Sequence, residues 1–136
     1  GEAVLLDEGS PGDAVRASAA VPGATVPVAY AGGHLVDGGV GSLVPVRFAR
    51  AMGADIVIAV DIYCSGSGID GLGAATVVRR AMRAQTCPLA KQELDEADIA
   101  IQADVPLPQL SAAESWQEAI NAGYKAAKTA LAPIER

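Results

Sequence analysis

Histidine occurs once in this 136-residue chain, cysteine twice, and aromatic residues make up only 4% of it. One His beside Cys64 and Cys87, which lack metal-type spacing, leaves zinc without a ligand set. The plain expectation for those two cysteines is reduced thiols in a cytoplasmic protein. Basic residues are also in the minority. Ten Lys and Arg stand against sixteen Asp and Glu, a net charge of -6. Such a surface repels phosphate backbones and anionic headgroups at long range, so nucleic acid is not an expected partner. The longest apolar run, Ile56 to Val60, stops at Asp61, well short of the roughly 20 residues that span a bilayer. A basic start followed by an apolar signal-type stretch is missing as well, and the first residue is Gly1 rather than Met, which leaves room for an upstream segment.

What is present is the composition of a soluble globular domain, with 51% hydrophobic and 19% charged residues. A chain of this length can bury about two thirds of the surface it exposes when unfolded, so it needs neither disulfide staples nor a structural metal. Ala3 to Leu6 reads as a short strand. Ser10 can cap a helix with Pro11 at its first position and Asp13 in its first turn, running to about Ala20 and ended by Pro22 and Gly23. Val26, Val28 and Tyr30 alternate as a strand. Gly32 and Gly33 are placed to take the positive backbone angles of a hairpin turn, with His34 to Asp37 returning as the second strand.

Further on, Pro45 to Met52 fits a helix with Gly53 as its left-handed stop, and Asp55 to Asp61 is a β-branched run of the kind buried on both faces. A helix from Ala74 to about Thr86 is interrupted by Pro88, and Asp98 to Ala103 alternates as a strand. Ser111 and Glu114 form a capping box. From there Trp116, Ile120, Tyr124, Ala127 and Leu131 repeat at helical spacing up to Pro133, which predicts a long amphipathic helix with that stripe in the core. Helices interleaved with apolar strands give the α/β class.

The segment Gly33 to Pro45 carries the most chemistry. In it Asp37, at a strand end, is followed at once by Gly38 and Gly39, which let the backbone turn sharply and let another element or a substrate approach the carboxylate. Asp-Gly is also a common surface turn, and residue types alone do not separate the two readings. Around it stand Ala17-Ser18-Ala19-Ala20-Val21-Pro22-Gly23, Leu35-Val36-Asp37-Gly38-Gly39-Val40, Pro45-Val46 with Arg50, and Gly53-Ala54-Asp55-Ile56-Val57-Ile58-Ala59-Val60-Asp61. With Ala97-Asp98-Ile99 and Ala122-Gly123-Tyr124-Lys125-Ala126-Ala127, this order resembles the C-terminal half of bacterial patatin-like phospholipases across nearly the whole chain.

That resemblance implies a three-layer α/β/α fold with a mainly parallel central sheet, of which residues 1–136 are the C-terminal part of a single domain. It also implies a lipid acyl hydrolase with a Ser-Asp dyad, acting on a lipid or other acyl ester without a cofactor or metal. Asp37 matches the family's catalytic aspartate, with Gly38 and Gly39 completing its motif. The family's nucleophile lies in a G-x-S-x-G elbow, and a separate Gly-rich loop donates to the oxyanion. No serine of this chain has Gly at both the second position before and the second position after it, so the elbow is expected upstream of Gly1 and this chain alone is expected to be inactive. Apolar surface is expected where that N-terminal half would pack, and copies of the chain could associate through it.

The other candidates have plainer readings. Ser18 is expected within a helix and Ser42 in a loop, neither in an elbow. His34 reads as a partly exposed turn residue. Gly66, Gly68 and Gly71 spell G-x-G-x-x-G after a strand, the outline of a dinucleotide fingerprint. The strand ends too early for a tight strand-to-helix turn, and Asp104 comes too late for the acidic strand end. Both details count against a nucleotide site, and the alternative function is a non-catalytic binding module of the same scaffold, recognising a partner or a nucleotide at the Gly66 to Gly73 loop. Arg79, Arg80 and Arg83 read as a solvated helix face.

Overall fold

The structure, a computed structural model, describes residues 2–66, 71–105 and 113–131, with side chains of the last segment described from Trp116. The chain divides into two compact units, Gly1–Leu43 and Val44–Arg136. It mixes helices with a small antiparallel pair and a small parallel pair of strands, an arrangement compatible with α/β.

In the first unit, helix α1 spans Pro11–Ser18. Ser10 caps it, its side chain accepting from the Asp13 amide at 3.4 Å, and Pro11 takes the first turn, where a missing N–H has no consequence. The residues from Ala3 to Leu6 are not a strand. Among the described residues no neighbouring strand pairs with them, and extended backbone without a ladder partner is not a sheet element.

Strands β1 (Val28–Tyr30) and β2 (Gly33–Leu35) form the hairpin, with Val28 opposite Leu35 and Tyr30 opposite Gly33. Its turn residues are Ala31 at φ 44° and Gly32 at φ 78°, one position earlier than the glycine pair suggested. A two-residue turn of this hand needs positive φ at both positions, so Ala31 holds a conformation that alanine disfavours. Only the Val28 and Leu35 end faces a core. That core is Ala17, Ala20 and Val28, with Leu6 and Leu35 packed against it.

In the second unit, α2 (Val46–Ala51) is followed by Gly53 at φ 90°, the left-handed stop its sequence position suggested. Strand β3 (Ile58–Asp61) pairs in parallel with β4 (Ile99–Gln102), and α3 (Ala74–Asp95) makes the crossover between them. β3 is not covered on both faces. Ala59 and Asp61, on one face, are buried, while Ile58 and Val60, on the other, are each 53% exposed.

Helix α3 does not stop at Thr86. It continues through Pro88, which cannot donate to the preceding turn, a defect of about 3 kcal/mol in an exposed helix. The helix is held on both sides of it: Cys87 is covalently joined to Cys64, and Ala90, Glu93 and Leu94 are buried one turn further on. The expectation of reduced thiols is overturned by that bond between Cys64 and Cys87, whose Cα atoms lie 5.5 Å apart. Two cysteines 23 residues apart give no sign in the sequence that a loop will fold back onto a helix.

Helix α4 (Ala113–Leu131) packs on β4, but not with the expected side chains. Trp116, Ile120 and Tyr124 are all more than half exposed, whereas Ala119, Ala122, Ala126, Ala127, Ala130 and Leu131 are half-buried. Small residues repeat on α4 with the same period as the large ones, and a face of alanines lets a helix lie closer to a strand. Ser111 and Pro133, expected to bound this helix, lie outside the described residues.

Candidate functional site

Asp37 lies two residues beyond β2, at the entry to a single 3-10 turn, Gly38–Val40. Its backbone N–H donates to the Ala20 carbonyl at 2.9 Å, and its own carbonyl accepts from Val40 N–H at 3.2 Å. The first of these bonds joins two stretches that stood out in the sequence, the Ala-Ser-Ala-Ala-Val-Pro-Gly block and the Asp-Gly-Gly motif. The Asp37 side chain caps the turn: Oδ1 accepts from Gly39 N–H at 2.7 Å. One carboxylate oxygen is therefore held by backbone, and the half-buried residue has a fixed side-chain direction.

The two glycines differ. A Cβ on Gly39 would stand 2.9 Å from both Asp37 Oδ1 and Leu43 Cδ1, closer than real contacts allow. A Cβ on Gly38 would meet nothing within 4 Å. A side chain at Gly39 would thus push the carboxylate or Leu43 aside, while Gly38 borders open space.

Of the other candidates, Ser18 is the exposed last residue of α1 and Ser42 is half-buried just after the turn, its N–H donating to the Gly38 carbonyl at 2.9 Å. His34 is an exposed residue in the middle of β2, opposite Ala29. The tight strand-to-helix turn of a dinucleotide site is not formed, since β3 ends at Asp61 and α3 begins at Ala74. Gly68 lies outside the described residues, and the Gly66 carbonyl accepts from Arg83. Arg79 and Arg80 are exposed as expected, but Arg83 is not part of a solvated face. Its Nη2 donates to the carbonyls of Cys64, at 2.8 Å, and Gly66, and the guanidinium lies 5.7 Å from the centre of the Tyr63 ring.

Three acidic residues with structural work were missed as such by sequence reasoning, and all are in the second unit. Asp61, 2% exposed, accepts from the amides of Tyr63 and Cys64 through Oδ1 and from Ser65 through Oδ2. Glu93, 1% exposed, accepts from Val44 N–H at 3.1 Å, with Arg47 at 3.5 Å from its other oxygen. Asp98 accepts from Val57 N–H at 2.8 Å and from Arg50 at 2.6 Å. The Val57 amide and the Arg50 guanidinium hold the Asp98 carboxyl below the usual aspartate range. A residue that polar beside an apolar run was a signal for Asp61, but nothing local marks Glu93.

A groove of about 540 Å³ lies between β4 and α4, lined by Ala100, Gln102 and Asp104 on one side and Lys125, Ala126 and Thr129 on the other. No helix among the described residues is long and apolar enough to cross a membrane.

Residues 4–50 match the sequence model of the patatin-like phospholipase family. The matched stretch takes in α1, the hairpin, Asp37 with its two glycines, and the chain up to Arg50 of α2. The match covers about a third of the chain and supports a patatin-like assignment for that stretch.

Proposed function

We propose that this chain supplies the general base of a lipid acyl hydrolase, with Asp37 as the aspartate of a Ser-Asp dyad and the serine in a G-x-S-x-G elbow encoded upstream of Gly1. The observation that carries the reading is the bond from Gly39 N–H to Asp37 Oδ1 inside the family-matched stretch. A free carboxyl is a weak base, with a usual pKa of about 3.9, so placement must supply what basicity lacks. With Oδ1 committed to the backbone, Oδ2 is the oxygen left to accept the serine proton. The alkoxide then attacks the ester carbonyl, backbone amides of a Gly-rich loop stabilise the oxyanion, and water releases the acyl group in a second step. The three-layer fold with a mainly parallel sheet, and the place of residues 1–136 as the C-terminal part of one domain, belong to the same reading. So does the inactivity of this chain by itself.

Asp37→Asn in the full-length polypeptide is expected to lower turnover of a short-chain p-nitrophenyl ester by two to four orders of magnitude, about the range for a lost general base. Near-normal turnover in that variant overturns the assignment. The cytoplasmic location expected above rested on reduced thiols, a ground that the Cys64–Cys87 bond removes.

A further inference from the structure

We infer that the Cys64–Cys87 disulfide is a reversible latch, which fastens the loop at the carboxyl ends of β3 and β4 to α3 when oxidised and frees it when reduced. The inference is independent of the hydrolase reading. Four sets of contacts hold residues 61–66. Two of them fix the base of the loop: the Asp61 carboxylate collects the amides of Tyr63, Cys64 and Ser65, and Ser65 Oγ bridges the carbonyls of Asp61 and Ala103, each at 2.9 Å. The other two tie the loop to α3, one covalently through Cys64 and Cys87 and one non-covalently through Arg83.

Those two ties share one helix face. Arg83 and Cys87 are four residues apart on α3, hence one turn apart, and both reach Cys64, Arg83 at its carbonyl and Cys87 at its sulfur. Opening the disulfide therefore leaves a charge-assisted bond that keeps the Cys64 backbone beside the helix. The two thiols stay near one another and the bond can form again. Both cysteines are half-buried rather than enclosed, so an attacking thiolate can reach the sulfurs. The loop occupies the carboxyl ends of two parallel strands, the place where open α/β sheets receive ligands.

The reaction is thiol–disulfide exchange with a dithiol reductant. Its thiolate attacks one Sγ, the bond between the two protein sulfurs breaks, and a mixed disulfide forms. The reductant's second thiol then displaces the remaining protein sulfur. Two electrons pass from the dithiol to the protein, the reductant leaves as its own disulfide, and its two protons end on Cys64 and Cys87.

The test uses the whole chain, dithiothreitol as reductant, oxidised glutathione as oxidant, and chymotryptic cleavage after Tyr63 followed by mass spectrometry. Cleavage after the exposed Tyr30 serves as the control. Reduction is expected to speed cleavage after Tyr63 about ten-fold, to leave cleavage after Tyr30 unchanged, and to be reversed by re-oxidation. The double variant C64S/C87S is expected to behave as the reduced protein in either buffer. Arg83→Gln is expected to stay protected when oxidised but, once reduced, to re-form the disulfide about ten-fold more slowly than the parent chain. Equal cleavage after Tyr63 in both redox states overturns the inference. So does re-oxidation of Arg83→Gln at the parental rate, or free thiols in protein equilibrated with oxidised glutathione. Should C64S/C87S fail to fold, the dithiothreitol-reduced parent chain decides: loss of its helical circular dichroism makes the bond a staple and overturns the latch.

Discussion

Residues 1–43 and 44–136 solve the same problem, holding a carboxylate in place, over very different distances along the chain. In the first unit Asp37 is held by an amide two residues away, and the core beneath the hairpin is Ala17, Ala20 and Val28. In the second, Glu93 reaches back 49 residues to the Val44 amide, and Asp98 joins Val57 and Arg50 across 41 and 48 residues. The first arrangement is a local motif that forms wherever its own turn forms. The second exists only once α2, α3 and the two parallel strands have come together, so Glu93 and Asp98 are part of tertiary cohesion, whereas Asp61 of the same unit is held locally by amides two to four residues on.

That contrast can be broken most directly at Glu93. Glu93→Ala leaves the buried Val44 N–H without its acceptor and opens a cavity, and is expected to cost about 3 kcal/mol in urea unfolding. A loss below about 1 kcal/mol would show that the long-range tie is not what holds the second unit. The local device is tested at the paired glycines. Gly39→Ala forces a methyl against Asp37 Oδ1 and Leu43 and is expected to cost about 2 kcal/mol, whereas Gly38→Ala costs less than about 0.5 kcal/mol. Equal effects of the two substitutions would remove the steric reason given for Gly39.

Acid should act on the second unit through Asp98. Its carboxyl titrates lower in the folded chain than in the unfolded one, so its contribution is complete above the unfolded value and is lost as pH falls through the lower folded value. Unfolding midpoints measured below about pH 4 should therefore drop, and Asp98→Asn should flatten that drop while lowering stability at neutral pH. The same acid limb in both proteins would clear Asp98 of the role. Smallest is the effect at the hairpin: Ala31→Gly relieves alanine of its φ of 44° and is expected to add about 0.5 kcal/mol, the relief being partly offset by the greater freedom of glycine in the unfolded chain. A lower melting temperature in that variant would contradict the turn geometry.

How much could be read beforehand follows the same division. The Ser10 cap with Pro11 and Asp13, the existence of a hairpin between Val28 and Leu35, and the stop of α2 at Gly53 were all legible, because each depends on residues within one turn of the chain. The Asp-Gly-Gly motif and the blocks around it pointed to a patatin-like sequence, which the match supports over residues 4–50; the blocks from Gly53 onward lie beyond it. Errors came where distant residues decide. Pro88 marked a helix end, yet α3 is secured past it by Cys64 and by the burial of Glu93 and Leu94. The stripe of Trp116, Ile120 and Tyr124 had the period of a buried face, and so did the alanines beside it.

By itself, then, the order of amino acids determined the local features: which segments start and stop helices, where the chain reverses, and which acidic residue is followed by two glycines. Tertiary structure alone decided which face of α4 meets β4, that Glu93 meets the Val44 amide, and that Cys64 meets Cys87. The reason is that backbone preferences act over a few residues, whereas burial and side-chain pairing are set by whichever distant segment arrives, and a single chain carries no local mark of its future neighbour.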